Sequence, residues 1–162
     1  MSHEYNEMKP LYVGQSKNGD AVYAGTYFSP GDRITQFNGP VLSFKDINGK
    51  PVSSYAVQFG PDEYFGLDGG FDDNVNHSCC PNAGLKWIDN ELWLVAIWWI
   101  FRDDEITFDY STTIGPKDPW TMKCNCGSPF CRQTIEKFDK LPKELRDYYT
   151  KIGVALAADW KP

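Results

Sequence analysis

Three cysteines crowd into eight positions, Cys124-Asn125-Cys126 and Cys131, among the turn formers Gly127, Ser128 and Pro129. Thiolates bind zinc at about 2.3 Å, and tight turns are how a short peptide brings them together. A Cys124–Cys126 disulfide would close a strained loop, so local pairing is disfavoured. Three ligands leave one corner of a tetrahedron, to be filled by Cys79 or Cys80 from elsewhere in the chain; the plainer reading is three free thiols in a loop. A second concentration is Asn76-His77-Ser78-Cys79-Cys80-Pro81-Asn82. His77 beside Ser78 suggests a nucleophile and its base, but neighbours in an extended chain point to opposite faces. The chain has one other histidine, His3, and lacks a Gly-x-Ser-x-Gly elbow, so hydrolase chemistry is set aside. The plainer reading is a buried loop whose polar side chains satisfy backbone groups. Finally, Asp62, Glu63, Asp68, Asp72 and Asp73 follow one another with no basic residue between them. They form either a solvated loop or a surface that attracts a lysine-rich polypeptide.

The elements that must position these residues are short. Leu11–Val13 and Ala21–Phe28 flank Lys17-Asn18-Gly19-Asp20, whose Asn-Gly suits a type I′ turn. After Ser29-Pro30-Gly31-Asp32 come strand-like segments at Ile34–Phe37, Val41–Phe44 and Ser54–Phe59, punctuated by Asn48-Gly49 and Gly60-Pro61-Asp62. Leu85–Ile88 and Glu91–Phe101 flank Asp89-Asn90, a further hairpin signal. The apolar run Leu92–Phe101 is far below the roughly 20 residues of a membrane helix, and its composition predicts a strand buried on both faces. Many short strands indicate a mainly β domain. Near the end, Leu141-Pro142-Lys143 opens a helix, and Leu145, Tyr148, Tyr149 and Ile152 fall on one apolar face.

Composition bounds the function. A chain of 162 residues holds one ordinary core, and 41% hydrophobic with 15% aromatic residues exclude wholesale disorder. The formal charge of −6 argues against direct nucleic-acid binding and against an anionic membrane surface. The excess is uneven: residues 1–81 carry 5 basic and 10 acidic side chains, residues 82–162 carry 11 and 12. Five cysteines are too few and too odd for a secreted disulfide scaffold. The polar start, Met1 to Pro10, lacks a signal-peptide pattern, so the expected compartment is nuclear or cytoplasmic, with signal-less export left open.

Taken together, Asn76-His77-Ser78-Cys79-x-Pro81-Asn82, Asp104-Glu105-Ile106-Thr107-Phe108-Asp109-Tyr110 and Cys124-x-Cys126-Gly127-x4-Arg132 resemble, in order and spacing, the SET-domain protein-lysine methyltransferases with their post-SET zinc segment. The resemblance implies a β-clip-like SET fold of short sheets with a pseudoknot at Asn76–Pro81, over residues 10–112. A zinc-binding post-SET segment would follow at 118–135, and a C-terminal helical extension at 136–162. It implies S-adenosylmethionine (AdoMet) in one cleft, a target lysine in another, and transfer of a methyl group through a narrow channel between them.

Residue by residue, the resemblance gives Tyr110 as the catalytic tyrosine and Phe108 as the position, Phe or Tyr in the family, that sets how many methyl groups are added. Phe37, Tyr64 and Phe65 would line the substrate channel. Gly19, Asp20, Ala21, Gly69, Asn76, His77, Tyr110 and Ile135 would contact AdoMet. Cys79 would join Cys124, Cys126 and Cys131 on one structural zinc, leaving Cys80 over. Phe at 108, and Phe37-Asn38-Gly39 where the family usually has Tyr-x-Gly, imply di- or trimethylation. The chain departs from the family at Ala21 (usually Gly), Gly70 (usually Asn), Asp73 (usually Arg) and Gln36 (usually Glu). The expected substrate is an exposed protein lysine, by default on a basic histone tail. The alternative is a catalytically weak or inactive SET-like protein-binding module.

Overall fold

The computed structural model describes residues 10–161. It is mainly β, built from short sheets and two helices. Strands β1 (Leu11–Ser16) and β2 (Gly19–Ala24) form an antiparallel hairpin in register Ser16↔Gly19. The expected type I′ turn is not what closes it: the left-handed φ falls on Gly19, at 93°, and not on Asn18. The two-residue turn Lys17-Asn18 instead leads into Gly19 at positive φ, which glycine permits because it lacks a Cβ. Strand β3 (Arg33–Phe37) follows, then β4 (Val41–Leu42) and the single-turn helix α1 (Phe44–Ile47). The strand expected to reach Phe44 stops at Leu42 because Ser43 caps α1: its hydroxyl accepts from the Asp46 amide while the Asp46 carboxylate accepts from the Ser43 amide. A 3-10 turn at Pro51–Ser54 then delays β5 to Val57–Gly60, which pairs with β6 (Glu63–Phe65).

Strand β7 (Asn76–His77) precedes a long hairpin of β8 (Ala83–Ile88) and β9 (Glu91–Ala96). Here the hairpin turn expected at Asp89-Asn90 is present, and both residues have positive φ, 51° and 64°, as a type I′ turn requires. Strand β9 ends at Ala96, short of the expected Phe101. Beyond Ala96 the Ile97 and Trp98 amides both turn to the Asn82 carbonyl, and the chain leaves the sheet. Trp98, Trp99 and Phe101 are consequently exposed, so the run Leu92–Phe101 is not buried on both faces along its length. Strand β2 likewise ends at Ala24; Phe28 forms an isolated bridge to Ile100. The next strand, β10 (Thr107–Phe108), pairs in parallel with β7, Thr107 opposite Asn76 and Phe108 opposite His77. The short hairpin β11 (Met122–Lys123) with β12 (Thr134–Ile135) and helix α2 (Lys143–Ile152) complete the order.

Three apolar clusters hold these pieces together. The main core gathers Val22, Ile34, Phe37, Leu85, Leu92, Leu94 and Phe108 from β2, β3, β8, β9 and β10, with Phe28 and Ile106 from the segments beside them. Each such side chain contributes on the order of 1.5–3 kcal/mol when fully buried. A second cluster packs Phe138, Leu141, Tyr149, Val154 and Ala157 of the C-terminal region on Val95. The third holds Cys79, Cys124, Ile114 and Ile135 around the sulfurs. Helix α2 starts after Pro142 and stops at Gly153, whose left-handed φ of 78° directs its amide back to the Tyr149 and Thr150 carbonyls. Tyr149 is buried, but Tyr148, expected on the same face, is exposed. The buried stripe centres on Tyr149, whose hydroxyl has a partner inside the protein.

Candidate active site

The parallel pairing of β7 with β10 brings the Asn-His segment beside Phe108 and Tyr110. The Tyr110 amide donates to His77 Nδ1 (3.0 Å), and the Tyr110 hydroxyl donates to the Val75 carbonyl (2.7 Å). Because Nδ1 accepts, the ring proton sits on Nε2, 3.3 Å from Cys79 Sγ. Burial, helped by Arg132 and opposed by Asp109, pushes His77 down to about 4 and keeps it neutral. Its 3.6 Å approach to Asp109 is therefore not an ion pair. Burial also raises the Tyr110 hydroxyl above its ordinary range, so it remains a donor at neutral pH.

Two cavities meet at Tyr110. The first is lined by Tyr55, Val57, Tyr64, Asp72, Asp73, Val75, Phe108, Tyr110, Asp118 and Trp120, among others. Its walls combine the rings of Tyr55, Tyr64, Phe108, Tyr110 and Trp120 with serine, threonine, glutamine and aspartate side chains. Its floor is fixed by the Tyr64 hydroxyl on Asp118 Oδ2 (2.9 Å) and the Trp120 amide on Asp118 Oδ1 (2.8 Å). Asp72 accepts from the Asn38 amide, and Asp73 accepts from the Asp68 and Gly69 amides, so these carboxylates brace their own turn as well as facing the cavity. Burial, reinforced by Asp68 and Asp73, raises Asp72 to about 6.

The second cavity, which shares Tyr110 with the first, is lined by Asn18, Asn76, His77, Met122, Lys123, Asn125, Ile135 and the Cys124 and Cys126 loop. The hairpin tip and the cysteine loop meet across it, Asn125 Nδ2 lying 3.4 Å from Asn18 Oδ1. Asn76 Nδ2 ties the cavity wall to the Asp20 carbonyl (3.0 Å) and to Glu105 (3.1 Å).

Below this cavity the sulfurs of Cys79, Cys124, Cys126 and Cys131 all lie within 4.8 Å of one another. A tetrahedron with metal–sulfur bonds of about 2.3 Å has edges of roughly 3.8 Å; the Cys79 and Cys124 sulfurs are 3.7 Å apart. The Arg132 amide donates to Cys79 Sγ and the Gln133 amide to Cys131 Sγ, both at 3.4 Å, as suits sulfur carrying negative charge. Donor set, spacing and backbone donors are compatible with one zinc ion. Cys80 is exposed and stands apart from the cluster.

The SET-domain family profile matches residues 19–111, more than half of the chain. The chain belongs to the SET-domain family. It is 27% identical over 151 residues to the Drosophila melanogaster histone-lysine N-methyltransferase trr, covering 82% of this chain and 6% of that protein. It is 26% identical over 129 residues to an H3 lysine-4-specific histone-lysine N-methyltransferase of Mycosarcoma maydis (70% of this chain, 9% of that protein). To the Mus musculus histone-lysine N-methyltransferase SETDB2 it is 30% identical over 98 residues (53% and 14%). The chain thus spans a small part of the length of the curated relatives it matches. Among solved structures, KRYPTONITE in complex with mCHG DNA and SAH matches with TM-score 0.65 at 25% identity, over 79% of this chain and 29% of that one. KRYPTONITE in complex with mCHH DNA, H3(1-15) peptide and SAH matches with TM-score 0.60 at 26% identity, over 79% and 30%.

Within this SET domain, Phe108, Tyr110 and Tyr64 sit on the first cavity, and Asn76, His77, Tyr110 and Ile135 on the second. Phe37 and Phe65 line neither: Phe37 is buried edge-on against Phe108 (centroids 5.7 Å), and Phe65 stacks on Phe59 (4.1 Å). Gly19, Asp20 and Ala21 border the second cavity through Asn18 and through the Asp20 carbonyl rather than lining it. Ala21 is buried with ordinary φ, so its departure from glycine carries no backbone strain. Gly69 lies outside both cavities, its amide on Asp73 (2.6 Å). Sequence reasoning missed Trp120 and Asp118 on the first cavity and Asn18, Met122 and Lys123 on the second. It also missed the fully buried Asp109 carboxylate, which accepts from Arg132 Nη2 (2.8 Å), the Ser111 amide (3.1 Å) and the Tyr149 hydroxyl (2.9 Å). The signal for the last was present, since a tyrosine in a buried helical stripe requires a partner for its hydroxyl.

Proposed function

We propose that this chain is an S-adenosylmethionine-dependent protein-lysine N-methyltransferase, histone-directed and di- or trimethylating. One observation carries the reading: Tyr110 lines both cavities, so a cofactor on one side and a lysine on the other would meet at its ring and hydroxyl. The second cavity suits AdoMet, with Asn18, Asn76 and Asn125 offering amides, Lys123 a cation for a carboxylate, and Met122 with the buried Ile135 an apolar surface for a flat base. When bound, AdoMet supplies an electrophilic methyl group on a sulfonium. The neighbouring structures in complex with SAH support that choice.

The chain's own residues would do the rest. The ring of Tyr110 is fixed by its amide on His77 and its hydroxyl on Val75, before any substrate arrives. Fixed attack geometry of this kind accounts for a large share of catalysis in a transfer between two bound partners. A lysine entering the first cavity would lie among Trp120, Tyr64, Phe108 and Tyr110, and the aromatic surface around its amine would favour the neutral, nucleophilic form. Asp72 and Asp73 at the same cavity would draw in a cationic segment from solution. Phe108, 2% exposed, places no hydroxyl near the amine, leaving room for methyl groups already added. The histone assignment is supported by the relatives' names and by the H3 peptide in a neighbouring structure. The acidic balance of −6 supports a protein substrate without direct nucleic-acid or membrane contact.

The test is mass spectrometry of core histones and a panel of basic proteins after incubation with AdoMet. Mass gains of 28 or 42 Da on a lysine are expected, the sum of two or three added methylenes at about 14 Da each. AdoMet binding without methylation of any protein would establish the alternative, a SET-like protein-binding module. A folded protein that neither binds AdoMet nor transfers methyl would overturn both.

A further inference from the structure

The carboxylate of Asp109 is fully buried, and its oxygens are divided between two parts of the chain that follow the matched SET segment. Arg132, from the cysteine loop, holds Oδ1 at 2.8 Å and also reaches Ser111 Oγ at 3.3 Å. Tyr149, from α2, donates its hydroxyl to Oδ2 at 2.9 Å. Tyr149 is 1% exposed, and its ring belongs to the C-terminal apolar cluster, where a phenylalanine would pack equally well. Burial beside Asp109 raises the hydroxyl above its ordinary range and keeps it a donor. Asp109 in turn caps the 3-10 turn Tyr110–Thr113: its side chain accepts from the Ser111 amide, and its carbonyl from the Thr112 amide and hydroxyl. Any rotation of Asp109 therefore moves the backbone from which Tyr110 projects between the two cavities.

We propose that Tyr149 is a positioning residue for Tyr110: its hydroxyl, delivered by the C-terminal helix, clamps Asp109 and thereby sets the turn that carries Tyr110. Hydrogen bonds to a buried charge are among the stronger neutral-donor contacts, and an oxygen left without its partner lets the side chain seek another rotamer. The clamp makes α2 a working part of the site although no atom of it lines either cavity. The activity readout rests on the methyltransferase reading above; the exchange readout does not.

Tyr149→Phe removes one oxygen atom and keeps the ring. The expected result is a kcat lower by roughly tenfold with the KM for AdoMet within about twofold of wild type, the split produced when orientation is lost and binding is not. Amide hydrogen exchange is expected to quicken at Ser111 and Tyr110, whose amides rest on Asp109 and His77, and to stay unchanged along β8 and β9. Asp109→Asn should give the same local signature, and the double variant should be no worse than Asp109→Asn alone. Tyr148→Phe, at an exposed position, serves as the control that changes nothing. Unchanged exchange at Ser111 and Tyr110, exchange that quickens uniformly through the sheet, or full additivity of the two substitutions would overturn the proposal. If wild type transfers no methyl group the enzymatic reading fails by itself, and the exchange comparison still decides whether the clamp exists.

Discussion

On the proposed function, the extent of methylation would turn on a single oxygen atom at Phe108. Its ring packs 5.7 Å from Phe37 and 4.9 Å from Tyr110, and it faces the first cavity without a polar atom. Phe108→Tyr is expected to shift the product from di- and trimethyl-lysine towards monomethyl-lysine at similar first-transfer rate; an unchanged product distribution by mass spectrometry would remove Phe108 from this role. Asp72 supplies a second test at this scale. Because burial raises it to about 6, it is anionic at pH 7 and becomes neutral as pH falls through that value. The KM for a basic peptide should therefore rise between pH 7 and pH 5, and Asp72→Asn should flatten that rise. Site residues were legible where residue type is itself the chemistry: the cysteines by their spacing, the Asn-His segment and Tyr110 by a resemblance those residues carry. Phe37 and Phe65, expected at the channel, line neither cavity, because an aromatic side chain fits a core as readily as a channel; one meets Phe108 edge-on and the other stacks on Phe59.

At the scale of elements, the cysteine loop contributes to a four-sulfur cluster compatible with zinc and also supplies a wall of the second cavity. Cys124 and Cys126 line that cavity while their sulfurs converge with those of Cys79 and Cys131. Loss of a ligand should consequently be felt as loss of cofactor affinity. Cys126→Ser, or a strong chelator, is expected to weaken AdoMet binding, with zinc affinity itself falling by more than the roughly 10–100-fold that loss of an outer-shell partner costs a metal site. Elemental analysis of untreated protein giving no zinc, or unchanged AdoMet affinity after the ion is stripped, would break this link. Turns and hairpins were legible from Asn, Gly and Pro, and Asp89-Asn90 adopts the conformation that its residue types demand. Strand ends were not. They are fixed by hydrogen bonds to distant residues, as where Asn82 captures the Ile97 and Trp98 amides, and no local pattern encodes that. Helix α2 was legible as an apolar stripe, yet its most consequential atom is the Tyr149 hydroxyl.

At the scale of the whole molecule, sheets too short to stand alone are joined through a main core, a C-terminal cluster and the sulfur cluster. That assembly brings two cavities to one tyrosine, Tyr110, which lines both. The acidic excess of the first half has a location as well, since Asp72 and Asp73 open onto the cavity assigned to lysine. Added salt should raise the KM for a basic peptide, and should do so less in a protein carrying Asp72→Asn and Asp73→Asn; equal salt dependence would confine these carboxylates to bracing their loop. The central claim is that Tyr110, at the junction of the cavities, organises methyl transfer from AdoMet to lysine. Its most direct test is transfer of labelled methyl from AdoMet to a histone-tail peptide by wild type and by Tyr110→Phe, with AdoMet affinity measured in parallel. Label on a peptide lysine, reduced by on the order of 100-fold in the variant at near-equal AdoMet affinity, is the predicted result. Equal transfer by the two proteins, or none by a folded wild type, would contradict it.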